Sequence, residues 1–339
     1  AARLRRDLPS RSSIGMLFVN RQTTGDLAGV DDHNRTYALD GRWGIGRNGL
    51  VSGFVSRTQT PGLDGNDHAY NLVGNYDSEA WRLSLGYLEI ADNFNPEVGF
   101  LRRRGFRNID VGVSYSFRPQ NFWKLQQMRP HGSFTRYWNF ERQMETSFLH
   151  LDYDWEFNDS SMSKTTWNVT GEGVTAPFEI ADGVIVPVGV YEHNEAEFSY
   201  NSNRGAPVSF TIRTTIGGFF GGGRVTLGPG INFRRGDTLN ASIQWSRNDI
   251  TLPGGSFITN LTSTRVTYNF SPRLFAQALV QYNDNADLWS ANLRFGLLQQ
   301  ANTGLFIVYN DTRGLHDTNP SGAGRSLILK YSQLFDLID

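Results

Sequence analysis

The sequence predicts an all-β protein: a transmembrane antiparallel up-and-down β-barrel of about 18 strands, with about 16 as the alternative. Three observations predict this fold. Apolar and polar residues alternate with a period of two along most of the 339 residues, which is strand geometry with one apolar face. The alternating runs are about ten residues long, the length that crosses a bilayer at a tilt. Short and long connections alternate, as turns and loops do at the two ends of an outer-membrane barrel.

The stretch 264–295 shows the repeating unit most clearly. Val266, Tyr268 and Phe270 alternate with polar residues and precede a tight corner at 271–273. Two further alternating runs follow, separated by a polar tip at 284–287. The aromatic residues lie near the ends of the apolar face, where a membrane interface favours them. We expect a meander of transmembrane hairpins.

The same alternation predicts strands along the rest of the chain. These lie at 14–21, 37–45, 50–58, 68–76, 81–87, 109–117, 124–138, 149–157, 162–173, 190–200, 208–216, 225–233, 239–245, 305–309 and 327–335. The short connections are 47–49, 77–80, 158–161, 234–237 and 271–273; the long ones are 22–33, 91–104, 174–187, 249–259 and 312–324. A soluble β-sandwich is the alternative, but it would need shorter strands and would not sort its connections by length.

The domain prediction follows from these strands. Residues 1–13 are expected to be a lead-in from a missing upstream region, 14–335 the barrel and 336–339 a tail. With an even strand number, both termini would face the periplasm. Four tryptophans are expected to face outward near the membrane interfaces: Trp81, Trp155, Trp245 and Trp289.

The composition agrees with a barrel and excludes other classes. Hydrophobic residues make up 39% of the chain, and no run approaches the roughly 18 apolar residues of a transmembrane helix. Only every second residue of a barrel strand meets lipid, so a barrel needs no such run. The 23 Phe, 13 Tyr and 8 Trp suit aromatic belts. The net charge of −1 gives no basis for nucleic-acid binding.

The charged residues that alternate with the apolar set are expected to face the lumen. The middle strands supply an acidic wall of Asp110, Asp152, Asp154, Glu172, Glu195 and Glu197, with His150 among them. The later strands supply a basic wall of Arg213, Arg224, Arg265, Arg294 and Lys330, and the early wall adds Arg42 and Arg82. Opposed walls would create a transverse field that orients polar solutes. The alternative is cross-strand ion pairs that satisfy a packed interior.

Two long loops, 91–104 and 174–187, are candidates for folding inward as constrictions. The first contains Arg102, Arg103 and Arg104 in succession, and Glu97 is their expected local partner. Contact with lipopolysaccharide at the outer rim would serve this basic cluster equally well.

The sequence predicts no catalytic residue, no metal and no cofactor. Its six His residues, at 33, 68, 131, 150, 193 and 316, show no metal-ligand spacing. His150 and Asp152 share one strand face and form a candidate dyad, but such neighbours are common on strands.

Four motifs resemble a family of bacterial outer-membrane barrels of unknown function. They are Phe94-Asn95-Pro96-Glu97-Val98-Gly99-Phe100 with Arg102, Ala176-Pro177-Phe178 with Pro187-Val188-Gly189-Val190-Tyr191, Leu252-Pro253-Gly254, and Gln281-Tyr282-Asn283. The resemblance implies a barrel in the outer membrane. It also implies that the barrel follows an exported domain similar to family 9 carbohydrate-binding modules. It implies no reaction.

Three function hypotheses follow. The first is a channel or transporter for small polar solutes, saccharides among them. The second is a structural barrel that anchors a carbohydrate-binding domain or another envelope protein at the outer membrane. The third, a hydrolase, depends on the His150–Asp152 pair alone.

Overall fold

The computed structural model describes residues 1–25, 32–300, 303–314 and 324–334, with Gln300 described by its backbone only. Regular structure in this part of the chain is entirely β, and none of it forms a helix long and apolar enough to span a membrane. The strands are β1 Ala2–Leu8, β2 Ser12–Gln22, β3 His33–Ile45, β4 Gly49–Gln59, β5 His68–Asp77, β6 Trp81–Ile90, β7 Phe106–Tyr115, β8 Leu125–Trp138, β9 Met144–Phe157, β10 Met162–Val174, β11 Phe178–Ala181, β12 Val184–Val186, β13 Gly189–Asn201, β14 Val208–Phe219, β15 Gly222–Arg235, β16 Leu239–Leu252, β17 Gly255–Ser271, β18 Leu274–Asn283, β19 Leu288–Gln300, β20 Thr303–Gly314 and β21 Gly324–Ser332.

Nineteen of these strands form one antiparallel sheet. Each strand pairs with the next along the chain, from β1–β2 to β20–β21, while β11 and β12 form a separate hairpin and β10 pairs with β13. Within the described residues, the outer edges of β1 and β21 have no partner strand, so the sheet is not closed. The predicted fold class, an all-β antiparallel up-and-down architecture, is confirmed.

The strand that exceeds the predicted eighteen is β1. It lies within residues 1–13, where a period of two was hidden because three arginines and an aspartate occupy both faces. Leu8 pairs with Ser12 across a tight turn, and Ala2 lies opposite Phe18, halfway along β2. The expectation that both termini face the periplasm depended on an even strand number, and it stays a prediction.

One face of the sheet is apolar and exposed. Ile14, Leu72, Leu85 and Ile216 each leave 56–58% of their surface uncovered. Burying such a side chain is worth about 1.5–3 kcal/mol, so many of them together on one face require an apolar environment. We call this surface the apolar face and its opposite the polar face.

The four predicted tryptophans lie on the apolar face, as expected, because they share strand parity with exposed apolar residues. Trp81, Trp155 and Trp289 lie close to strand ends. Trp245 instead lies in the middle of β16, where its Nε1 donates a hydrogen bond to Asn260 Oδ1 at 3.2 Å.

The long loop predicted at 249–259 is wrong. β16 continues to Leu252 and β17 begins at Gly255, which leaves a two-residue turn. The apolar residues Ile250, Leu252 and Phe257 here point to the polar face and pack against the β11–β12 hairpin, so the outward alternation stops although the strands continue. Of the predicted loop 312–324, residues 312–314 belong to β20, and 315–323 lie outside the described residues, as do Phe335 and the predicted tail.

The segment between β6 and β7 folds onto the polar face. Phe94 is 6% exposed and joins Ala69, Ile90 and Phe106 in a small apolar cluster. Its backbone is fastened to the wall by buried polar groups: Asn34 donates from Nδ2 to the Asn95 carbonyl oxygen at 2.6 Å. Thr58 Oγ1 accepts from the Asn95 amide at 2.9 Å. We call residues 91–105 the first inner loop.

The segment between β10 and β13 folds onto the same face as a short hairpin. Val186 is 2% exposed and Val184 6%, and both pack against Ile250 and Leu252 of β16. Phe219, Phe220 and Tyr191 complete the contact. We call residues 175–188 the second inner loop.

Candidate functional site

Strands from β4 to β10 line one cavity of about 760 Å³ on the polar face. The cavity wall is largely charged and amide side chains. Among them are Asn75, Arg82, Arg129, His131, His150, Asp152, Asp154 and Lys164. Several of these side chains, such as Arg82, His150 and Asp152, alternate with apolar neighbours along their strands, so the period of two that builds the apolar face also builds much of this wall.

Asp152 is the most buried charge of this wall, with 3% of its side chain exposed. His150 Nε2 lies 2.7 Å from Asp152 Oδ2, and Lys164 Nζ contacts the same oxygen at 2.7 Å. His131 Nδ1, on β8, lies 3.5 Å from Asp152 Oδ1. Three neighbouring strands therefore bring these groups together: His131 opposes Asp152 in the β8–β9 register, and Lys164 opposes Asp154 in the β9–β10 register.

Asp154 belongs to the same network. Its Oδ2 accepts from Arg129 Nη2 at 3.1 Å, and its Oδ1 lies 3.4 Å from Lys164 Nζ. Two carboxylates are thus matched by two cations within three strands, so the local net charge is close to zero.

Further ion pairs join the strands that follow. Glu195 on β13 accepts a hydrogen bond from Arg224 Nε on β15 at 2.9 Å, across the width of β14. The Arg224 guanidinium also stacks over Phe219, 4.8 Å from the ring centre. Glu197 lies 3.4 Å from Arg213 on the adjacent strand.

These contacts correct the picture of two opposed walls for most of its members. Asp152, Asp154 and Glu197 are paired with cations of adjacent strands, Arg213 among them, and Glu195 is paired with Arg224 two strands away. The physical reason is proximity: residues on adjacent strands stand about 5 Å apart, where opposite charges attract far more strongly than across a bore.

Of the remaining predicted wall residues, Arg82 lies 3.4 Å from Asp77, whereas five others make no ion pair with the described residues. Asp110 and Glu172 stay on the acidic side, and Arg265, Arg294 and Lys330 on the basic side. The described polar face of β16–β21 carries no Asp or Glu to neutralise these three cations. Arg294 lies between two aromatic rings, 4.7 Å from the centre of Phe306 and 5.7 Å from that of Phe275. An uncompensated positive charge therefore faces the interior here.

The charged residues of the first inner loop have other ion-pair partners than the sequence predicted. Glu97 does not pair with the three arginines: it accepts from Arg21 Nε at 2.7 Å, and Arg21 also contacts Asp32. Arg103 pairs instead with Glu145 of β9 and stacks over Phe106, 4.7 Å from the ring centre. Arg102 and Arg104 are exposed. Because the first inner loop packs against the polar face, its charged side chains lie nearer to residues of distant strands than to one another.

Asp32, in the connection before β3, accepts from the Thr23 hydroxyl and from Arg21, and these contacts hold the pKa of its carboxyl below the usual range. The lowered pKa means that the folded loop stabilises the ionised form of Asp32.

The candidate catalytic dyad is present as a contact but lacks a free basic nitrogen. His150 Nε2 faces Asp152, and its Nδ1 lies 2.7 Å from Asn168 Oδ1. A general base needs one ring nitrogen directed at the group it deprotonates. Because both nitrogens already face oxygen partners, the geometry adds no support for hydrolysis.

Sequence reasoning missed His131, Arg129 and Lys164 as members of this site. His131 and Arg129 lie on β8, where Pro130 and Gly132 interrupt the apolar alternation and make the strand pattern least regular. Only the β8–β9 register places these side chains beside Asp152 and Asp154. The one available signal was the alternation of Arg129, His131 and Ser133 on one face.

No protein-family model and no curated protein sequence matches the chain. The resemblance to a barrel family therefore stays a prediction. Among solved structures, OccK3 (OpdO) from Pseudomonas aeruginosa is similar at 14% identity and a TM-score of 0.43, over 95% of this chain and 94% of that one. The siderophore receptor PirA from the same organism is similar at 10% identity and a TM-score of 0.42, over 94% of this chain and 71% of that one. Likeness at this level carries no conclusion about function.

Proposed function

We propose that the chain is an outer-membrane barrel that conducts small polar solutes, with saccharides as one class to test. The observation that carries the proposal is the division between its two faces. Large apolar side chains are exposed on the apolar face, and charged and amide groups line a cavity on the polar face. A bilayer covers the first surface and water fills the second.

The two inner loops would set the width of the passage. Both fold from the same end of the sheet onto the polar face and carry buried apolar anchors, Phe94 in the first and Val186 in the second. A loop held in this way narrows a bore without closing its wall. The uncompensated Arg265, Arg294 and Lys330 would then favour anionic or hydroxyl-rich solutes over cations.

Arginines on the apolar face support an orientation in the membrane. They cluster at the end of the sheet that carries the inner loops: Arg35, Arg57, Arg107, Arg136, Arg247, Arg313 and Arg325. Guanidinium groups bind phosphates by paired hydrogen bonds, so this end suits the phosphorylated headgroups of lipopolysaccharide. These residues, rather than Arg102 and Arg104, are the ones we assign to that contact. The short-turn end would face the periplasm.

Planar-bilayer recording of the purified chain tests the proposal. The wild type should pass ions, and shortening the first inner loop by replacing residues 95–102 with a Gly-Ser linker should raise the unit conductance. A folded protein, with heat-modifiable migration and a β-type circular dichroism spectrum, that conducts in neither form would contradict the channel.

The second candidate is a filled barrel that anchors a carbohydrate-binding domain or an envelope partner. The inner loops favour it, because they bring apolar side chains into the interior: Val184 and Val186 pack on Ile250 and Leu252. The same recording separates the candidates, since a filled barrel should stay silent in both forms.

A further inference from the structure

We propose that His131, His150 and Asp152 form a binding site for a divalent transition-metal ion on the polar face. One ligand atom from each residue lies within 4.8 Å of the other two. Two imidazoles and one carboxylate are a donor set that suits Zn²⁺ and its neighbours in the first transition row, whereas Mg²⁺ and Ca²⁺ prefer oxygen ligands alone.

A second observation points to a missing ligand. Asp152 Oδ1 is buried and has no hydrogen-bond partner, and only 3% of the whole side chain is exposed. Thr166 Oγ1, opposite Asp152 in the β9–β10 register, is likewise buried and unpartnered. A buried carboxylate oxygen without a partner destabilises the fold, and more so when the group is charged. A bound cation would satisfy it.

The histidines are arranged as metal ligands usually are. His150 Nδ1 lies 2.7 Å from Asn168 Oδ1, which can accept its N–H and fix the ring, and this leaves the Nε2 lone pair directed at Asp152. The 2.7 Å between Nε2 and Asp152 Oδ2 is a hydrogen-bond separation, so binding of one metal by both atoms would require it to widen. His131 Nδ1 lies 3.5 Å from Asp152 Oδ1, close to the separation of about 3.4 Å between ligands that each stand 2.0–2.2 Å from a tetrahedral zinc.

Lys164 is the competing cation at this site. Its Nζ is 2.7 Å from Asp152 Oδ2 and 3.4 Å from Asp154 Oδ1, so it reaches Asp154 if a metal takes its place on Asp152. The other charge of the cluster, Arg129, already pairs with Asp154. His131, His150 and Asp152 all line the cavity, so water or a solute donor atom could complete the coordination of the metal from there.

Zinc titration of the detergent-folded full chain by calorimetry tests the site, with Zn²⁺ alone as the probe. The wild type should bind one Zn²⁺ per chain and show no comparable heat with Mg²⁺. His131→Gln and His150→Gln should each weaken binding at least tenfold. Lys164→Gln should strengthen it at least threefold, because it removes the competitor. His193→Gln changes a histidine of the same face outside the cluster and should leave the affinity unchanged.

Folding of each variant is checked by heat-modifiable migration. His131→Gln keeps the Asp152–Lys164 pair, so it stays informative where substitutions of Asp152 disturb the wall. Equal Zn²⁺ affinity in the wild type and in the His131→Gln, His150→Gln double variant would overturn the proposal. The measurement needs no conductance, so its outcome is independent of whether the barrel is a channel.

Discussion

The polar face of β8–β15 carries mostly paired charges, whereas the polar face of β16–β21 carries unpaired positive charges. In the first, carboxylates and cations alternate between neighbouring strands, and Asp152, Glu195 and Asp154 are all paired. In the second, Arg265, Arg294 and Lys330 face the interior with no acidic residue on the described polar face. Paired charges leave little external field, whereas unpaired charges create a field that extends into the space in front of the wall. The proposed function assigns a structural use to the paired charges and a role in solute selection to the unpaired ones.

The largest effect should come from the paired wall. Asp152→Asn would leave Lys164 without its closest partner in a part of the wall where Asp152 is 3% exposed. We expect a loss of about 3 kcal/mol in the free energy of unfolding, the lower end of the cost of breaking a buried pair. Asp110→Asn removes an exposed carboxylate of the same face and should cost less than about 0.5 kcal/mol. Denaturant unfolding in detergent measures both, and equal losses would erase the contrast between paired and unpaired charge.

The next effect concerns the anchor of the first inner loop. Asn34 is 1% exposed and donates from Nδ2 to Thr60 Oγ1 at 2.8 Å and to the Asn95 carbonyl oxygen. Asn34→Ala leaves those acceptors unpaired, at a cost of about 1–3 kcal/mol. We expect a looser loop, seen as faster proteolysis between β6 and β7 and as noisier conductance. Asn20→Ala, on the apolar face of β2, is the control. If the first inner loop of Asn34→Ala resists the protease as well as that of the wild type, the apolar cluster around Phe94 is sufficient to hold the loop.

Ion selectivity should respond to the unpaired wall. Replacing Arg265, Arg294 and Lys330 together by Gln should shift the permeability ratio toward cations by a few-fold. A unit charge at about 4 Å contributes about 1 kcal/mol in water, which corresponds to about a fivefold change in local ion concentration. Arg247→Gln, on the apolar face, is the matched control.

Salt provides the internal check on this prediction. Reversal-potential measurements at about 1 M salt, where the Debye length is about 3 Å, should show most of the shift gone. A shift that persists undiminished would place its origin in the shape of the pore rather than in its charge.

The smallest effect should be the acid sensitivity of the loop contacts at Arg21. Because the pKa of Asp32 lies below the ordinary value of about 3.9, its ionised form stabilises the folded loop above that pH, and this contribution disappears as the pH falls through the lowered pKa. Protease sensitivity of the first inner loop should therefore rise only below about pH 4. Asp32→Asn should remove that pH dependence. Glu97→Gln, which changes the other carboxylate on Arg21, should retain it.

Alternation alone was sufficient to predict most of the fold. A period of two assigns each side chain of a strand to one of two faces, so the apolar face, the inward position of Asp152 or Arg294, and the antiparallel order followed from residue spacing. Strand prediction from alternation failed where both faces of a strand carry similar residues. The three arginines of β1 obscure its alternation, and the sequence predicts a loop at Ile250 and Leu252 of β16 because their apolar side chains point to the polar face.

The tertiary structure decided which side chains meet. Alternation gives the face of a residue but not the register between strands, and a register shift of one residue would exchange the two faces of a strand. Only the β8–β9 register brings His131 to Asp152, and only the folding of the first inner loop brings Glu97 to Arg21 and Arg103 to Glu145. Pairing energies fall off within a few ångströms, so the sequence determined where charge faces the interior, and the three-dimensional packing determined which of that charge remains free.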